Sequence, residues 1–252
     1  MPIAVNNAGY GVLVPLAPPS TAQPEARSAA GGLVRVRVWD LPTRTFHWAL
    51  AASLAGLAAT GYAGGAWMEW HARLGSVTLA LLLFRIVWGF IGGKWSRFAS
   101  FLPTPGRVLA YLREQDDPRQ HAGHNPLGAL SVLAMLAVVM AQLLTGMAGD
   151  DGGGFTGPLN DRVSQAVGAI ANVLHKQIGQ WLLLALVLLH VAAIAFYRIV
   201  RRQKLVQAMV DGDRLLPARA SVPASRDDAV TRAKAFAVLC ACAALVGWLV
   251  GY

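Results

Sequence analysis

The chain has 252 residues, 55% of them hydrophobic and only 14% charged, and its mean hydropathy is +0.46. An ordinary soluble domain carries roughly 25% charge and a disordered chain is poor in apolar residues, so both classes are excluded for most of the length. The charges are lopsided, 22 Lys+Arg against 13 Asp+Glu for a formal +9, a surplus that suits nucleic acid, an acidic partner or the cytoplasmic face of a membrane.

Met1–Gly32 is rich in Ala, Pro, Gly and Ser and has no positive charge before Arg27. Pro15, Pro18 and Pro19 interrupt any apolar run, which excludes a secretory signal. Residues 1–33 read as a disordered tail or as a start codon placed too early. Five segments then approach the roughly 20 residues a membrane helix needs: Phe46–Trp67, His71–Ile91, Leu127–Met147, Ile178–Val200 and Ala235–Tyr252. The third carries no charge, the second carries Arg85 in mid-span, and the fifth is the weakest because it follows a polar linker, residues 214–233. The expected fold is an all-α integral membrane protein: a four-helix transmembrane bundle over residues 34–213, with a fifth C-terminal transmembrane helix over 234–252.

A cytoplasmic N-terminus places 18 of the 22 cations on the inner side. Only Arg73, Arg162 and Lys176 fall outside, with Arg85 inside the second span. This is the positive-inside asymmetry. It explains the basicity as membrane orientation and removes the case for nucleic acid. Cys240 and Cys242, two apart on a helix, point in different directions and read as apolar filler. The absence of C-x-x-C-H excludes a covalent c-type haem.

Four of the six histidines lie in or beside spans, where an ionisable ring needs a partner. His47 opens the first span on the cytoplasmic side, and His71 opens the second on the outer side. His175 precedes the fourth span on the outer side, and His190 lies in its cytoplasmic half. Any one of them taken alone is equally well a helix-to-helix hydrogen bond. Together they form two levels, each with one ring from an early helix and one from the fourth. Fifteen residues separate His175 from His190, about 22 Å along a helix and on roughly one face. Two imidazoles from two helices at each of two depths suit low-spin haem b, built for electron transfer rather than oxygen binding. Zinc needs its ligands at one point. A proton path would show Asp or Glu within the spans, and only Glu69 comes near, at an outer edge.

Haem propionates need cations or donors. Arg85 is fourteen residues past His71 and so about 21 Å deeper, at the inner level; the other reading of it is snorkelling to the headgroups. Arg44, three residues before His47, is a second inner candidate, and Arg73 and Lys176 are the outer ones. His124 could donate to a propionate or serve as an alternative ligand, although Asn125-Pro126 beside it also reads as a plain helix cap. Gly56, Gly61, Gly64, Gly65, Gly75, Gly89, Gly128 and Gly146 allow close approach of a macrocycle or of a neighbouring helix. In the outer loop, Val163, Val167, Ile170 and Val173/Leu174 recur at helical spacing. They predict a short helix on the membrane surface, to dock a partner or to cover the outer haem.

At these residues the chain resembles a known family. The segments VRVRVWDLPTRTFHW (Val34–Trp48), WHARLGSVTLALLLFRIVWGFIGG (Trp70–Gly93), GHNPLGALSVLAMLAVVMAQLLTGM (Gly123–Met147) and LHKQIGQWLLLALVLLHVAAI (Leu174–Ile194) resemble the bacterial cytochrome b561 family. Within it they are most similar to the b-type cytochrome subunits of nickel–iron hydrogenases. The resemblance implies a four-helix core with two non-covalent haem b groups, His47 pairing with His190 and His71 with His175. The expected function is electron transfer across the bacterial inner membrane between a periplasmic redox protein and quinone. That redox protein would be a c-type cytochrome or a hydrogenase or dehydrogenase subunit. A stand-alone quinone-linked oxidoreductase like the superoxide-oxidising members, a haem-free membrane anchor and a homo-oligomer stay open. The N-terminal tail and the fifth span depart from the simple family pattern.

Overall fold

Asp40, Asn125, Ser164 and Asp228 start the long helices in the same way. Each side chain accepts a hydrogen bond from the amide three residues on, Thr43, Gly128, Val167 or Thr231, which satisfies a donor that the helix itself cannot. The computed structural model describes residues 32–113, 122–150 and 152–251, so the tail expected over residues 1–33 lies outside the described residues up to residue 31, while Leu33 already opens a strand. In chain order the elements are strand β1 (Leu33–Arg37), α1 (Leu41–Ala63), α2 (Met68–Ile91), the short α3 (Phe98–Phe101) and α4 (Pro105–Leu112), and α5 (Pro126–Ala148). There follow α6 (Gln165–Val173), which passes through a π-helical turn, Leu174–Gly179, into α7 (Gln180–Ile199), then α8 (Leu205–Asp211), β2 (Asp213–Pro217) and α9 (Ala229–Val250).

Four stretches are long and apolar enough to cross a membrane: Gly65–Ile91, Pro126–Ala148, Gln165–Ile199 and Ala229–Val250. The C-terminal segment is among them, and α1 is not. The 23 residues of α1 suffice in length, but Thr, Arg, His and Gly dilute its hydropathy. It runs back along α2 through the turn at Gly64–Trp67.

Two sequence expectations change here. The surface helix predicted around Val163–Leu174 is instead the first part of a continuous 35-residue helical stretch ending at Ile199. Its sequence offers no proline to break it, and at 1.5 Å per residue it spans about 50 Å, well beyond a roughly 30 Å hydrocarbon core. The linker predicted at 214–233 is folded at both ends: its start lies inside β2, and its last residues, from Ala229, open α9.

The central element is α2. One apolar cluster joins Phe46 of α1, Leu81, Phe84 and Trp88 of α2, and Ala235 and Cys242 of α9. A second joins Leu79, Ala80 and Leu82 of α2 with Val139 and Leu143 of α5 and Val246 of α9. Packing among lipid tails brings no hydrophobic gain, so close approach and polar contacts set the arrangement. Thus α1, α2 and α9 form one half of the bundle. α5 and α7 form the other, and α7 has no fully buried residue.

A polar collar closes the end that carries most of the cations. β1 pairs antiparallel with β2, from Leu33 opposite Pro217 to Arg37 opposite Asp213. Asp40 is fully buried and accepts from Ser96 Oγ at 2.8 Å, Gly93 N at 3.1 Å and Trp88 Nε1 at 3.3 Å. Ser225 Oγ donates to the Val38 carbonyl at 2.8 Å. Asp227 accepts from Arg37 Nη1 at 2.8 Å, Leu41 N at 3.1 Å and Arg232 Nε at 3.1 Å. Burial alone would raise the Asp227 carboxyl, but these hydrogen bonds and the charges of Arg232 and Arg37 hold it below its ordinary value.

Candidate cofactor site

The two halves of the bundle present histidines to each other. At the end away from the collar, the ring centroids of His71 (α2) and His175 (π-turn) are 6.1 Å apart, with planes at 89°. His71 Nδ1 lies 3.0 Å from the Leu57 carbonyl of α1 and 3.3 Å from Thr60 Oγ1. His175 Nδ1 lies 2.9 Å from the Gln142 carbonyl of α5. A carbonyl can only accept, so each Nδ1 carries the proton and each Nε2 keeps its lone pair for another partner. Glycines seat both rings: a Cβ on Gly61 would lie 3.1 Å from His71 Cε1, and one on Gly146 would lie 2.8 Å from His175 Cε1.

Near the collar, the centroids of His47 (α1) and His190 (α7) are 6.5 Å apart, with planes at 49°. Here the surroundings differ. His47 Nδ1, Arg44 Nε, Arg85 Nη1 and His124 Nδ1 are all buried without a hydrogen-bond partner. Arg85 is only 4% exposed, and its guanidinium lies 4.8 Å over the Phe98 ring. His124 packs between the rings of Trp39 and Phe101, at 4.8 and 4.6 Å. Burial first, and then the positive charge of Arg85, push it down to about 3, so it is neutral at ordinary pH. Buried donors left unpaired cost about 1–3 kcal/mol each. Four unpaired buried polar atoms lie at one level, and the two on Arg44 and Arg85 can only donate, which marks a place where a group with acceptor atoms belongs.

The family model for prokaryotic cytochrome b561 matches residues 38–212. The chain belongs to the prokaryotic cytochrome b561 family. It is 28% identical over 212 residues to a probable Ni/Fe-hydrogenase B-type cytochrome subunit of Azotobacter chroococcum mcd 1, covering 71% of this chain and 88% of that one. A like-named protein of Bradyrhizobium diazoefficiens is 27% identical over 239 residues, covering 79% of this chain and 97% of its own. The probable Ni/Fe-hydrogenase 1 B-type cytochrome subunit of Escherichia coli K12 is 26% identical over 137 residues, covering 44% and 58%. No solved structure matches the chain significantly. The protein is thus a multi-pass membrane cytochrome of electron transfer, and the family implies haem b.

The residues present in this b561 cytochrome fit that group. A metal–imidazole bond is about 2.0–2.1 Å. Ring centroids 6.1 and 6.5 Å apart would leave room for one metal ion between the two imidazoles of each pair. Among the described residues no group of three or more His, Cys, Asp or Glu gathers to hold a metal ion, so the histidines stand in twos.

The other candidates divide. Arg85 and His124 stand at the inner level with unpaired buried nitrogens. Arg44 is partly engaged: Nη1 donates to the Val210 carbonyl, and Nη2 is 3.8 Å from Asp227, leaving Nε unpaired. At the outer end, Arg73 pairs with Glu69 one turn earlier and lies 5.1 Å over the Trp70 ring. Lys176 donates to the Asp150 carbonyl at 3.1 Å. Sequence reasoning missed Asp40, whose charge Arg85 feels. An Asp directly before Leu41-Pro42 and an apolar run is a helix-start signal that could have found it. It also missed Gln142, which stood unremarked as the amide side chain of a charge-free span.

Proposed function

We propose that this cytochrome carries two haem b groups, one held by His47 and His190 and one by His71 and His175, and passes electrons between the two faces of the bacterial inner membrane. The observation that carries the reading is the pair of ring separations, 6.5 and 6.1 Å, at opposite ends of one seam. When bound, haem b held by these imidazoles would supply one-electron transfer. The chain holds each imidazole, sets its tautomer at the outer end, and keeps water from the seam with apolar helix faces. At the inner end Arg85 and His124, with the Nε of Arg44, supply donors for propionate oxygens. The cation asymmetry supports a cytoplasmic N-terminus, with His71 and His175 on the periplasmic side.

The names of the relatives support a hydrogenase subunit as the periplasmic partner, exchanging electrons at the His71–His175 end. Quinone is the proposed partner of the other end. The test is the haem-to-protein ratio of the purified full-length chain. We expect two, falling to one in His190→Ala and to one in His71→Ala. A ratio unchanged by either variant overturns the ligand assignment, and a wild type without a b-type α-band overturns the haem. Isolation of a chain that reduces quinone alone overturns the hydrogenase-partner reading in favour of a stand-alone oxidoreductase.

A further inference from the structure

Gln142 is a polar residue in mid-helix, within a 23-residue apolar span. It touches residue 175 twice. Its backbone carbonyl accepts from His175 Nδ1 at 2.9 Å, and its side-chain Nε2 donates to the His175 carbonyl at 3.2 Å. The second bond is made where Leu174–Gly179 widens into a π-helical turn, a form that is rare and concentrated at functional sites. Gly179 makes the insertion possible: a Cβ there would lie 2.0 Å from Gln142 Oε1 and 2.8 Å from the Leu174 carbonyl. Gly146, one turn along α5 from Gln142, seats the same ring. The seat of His175 is therefore built largely by α5, and one residue, Gln142, holds both its imidazole and its backbone.

We infer that Gln142, admitted by Gly179, is a positioning residue that sets the orientation of His175 toward the outer haem. This rests on the di-haem reading. An outer-shell partner fixes the ring plane and tautomer of a metal-bound histidine, and losing one typically costs 10–100-fold in affinity. Gln142→Met keeps the length of the side chain and removes the amide. Gly179→Ala leaves Gln142 in place and sets a methyl group against both its amide and the Leu174 carbonyl of the π-turn. Both variants are purified as the full chain, and their haems are followed by redox titration and low-temperature EPR, with His71→Ala identifying the outer signal.

Both variants leave the Gln142 carbonyl on His175 Nδ1, so both are expected to weaken outer-haem retention by less than the roughly 10–100-fold that losing the ring's own partner costs, and to shift that haem's g-values and midpoint potential, with the inner haem unchanged. Outer g-values and retention equal to wild type in both variants overturn the inference, as does equal loss of both haems. A wild type holding fewer than two haems overturns the di-haem reading instead, and it is seen before any variant is compared.

Discussion

The two histidine pairs have nearly the same spacing and opposite surroundings. At the outer pair each Nδ1 meets a backbone carbonyl of a neighbouring helix, Leu57 or Gln142, and each ring lies against a glycine, Gly61 or Gly146. At the inner pair His47 Nδ1 has no partner, and Arg44, Arg85 and His124 each bury an unpaired nitrogen close by. The outer site is pre-organised by the backbone, whereas the inner one gathers unsatisfied donors. Pre-organisation lowers the cost of binding. Unpaired donors make a binding partner with acceptor oxygens worth more. The same two imidazoles are thus made into a site by two different devices.

That contrast can be broken from either side. The largest effect is expected from Gly146→Val, because a Cβ alone would lie 2.8 Å from His175 Cε1 and the branch adds bulk behind it. Haem content should fall from two per chain toward one, read by pyridine haemochrome, and retention of both would show that the glycine seat is dispensable. Arg85→Leu comes next. Loss of a buried cation should lower the midpoint potential of the inner haem and weaken its retention about tenfold, the low end for a supporting residue. The outer haem should titrate as before, and an unmoved inner potential would remove Arg85 from the site.

Smaller effects probe the collar. Asp227→Asn loosens a carboxylate that ties β1, the start of α1 and α9 together. It should cost about 1.5–3 kcal/mol, the range for hydrogen bonds to a charged group, read as earlier thermal release of the inner haem. The last is a pH effect, confined to acid solution. Folded His124 takes a proton only near pH 3, whereas the unfolded chain takes it near 6.5. Between those values the unfolded state binds more protons, so stability is full above about pH 6.5 and declines as the pH falls toward 3. His124→Phe should flatten that decline in denaturant titrations across the window, and identical slopes would show that this ring stays neutral for no stability reason.

Much of the architecture is readable in the sequence because the bilayer imposes local rules. Span length, the absence of charge and the one-sided distribution of Arg and Lys are properties of short windows. Depth along a helix follows from counting residues, and that places His47 level with His190 and His71 level with His175. The same rules missed the collar. Arg37 and Asp227 are 190 residues apart, and no periodicity links them.

Sequence alone therefore determined that this is a membrane helix bundle with histidines at two depths, since burial in lipid and the 1.5 Å rise act residue by residue. Only the tertiary structure decided how each ring is held: a π-turn opened by Gly179 and entered by Gln142, carbonyls of neighbouring helices behind His71 and His175, and unpaired donors around His47. The reason is physical. A hydrogen bond between helices depends on relative rotation and approach to within a fraction of an ångström, set by packing across the whole bundle and not by any one segment.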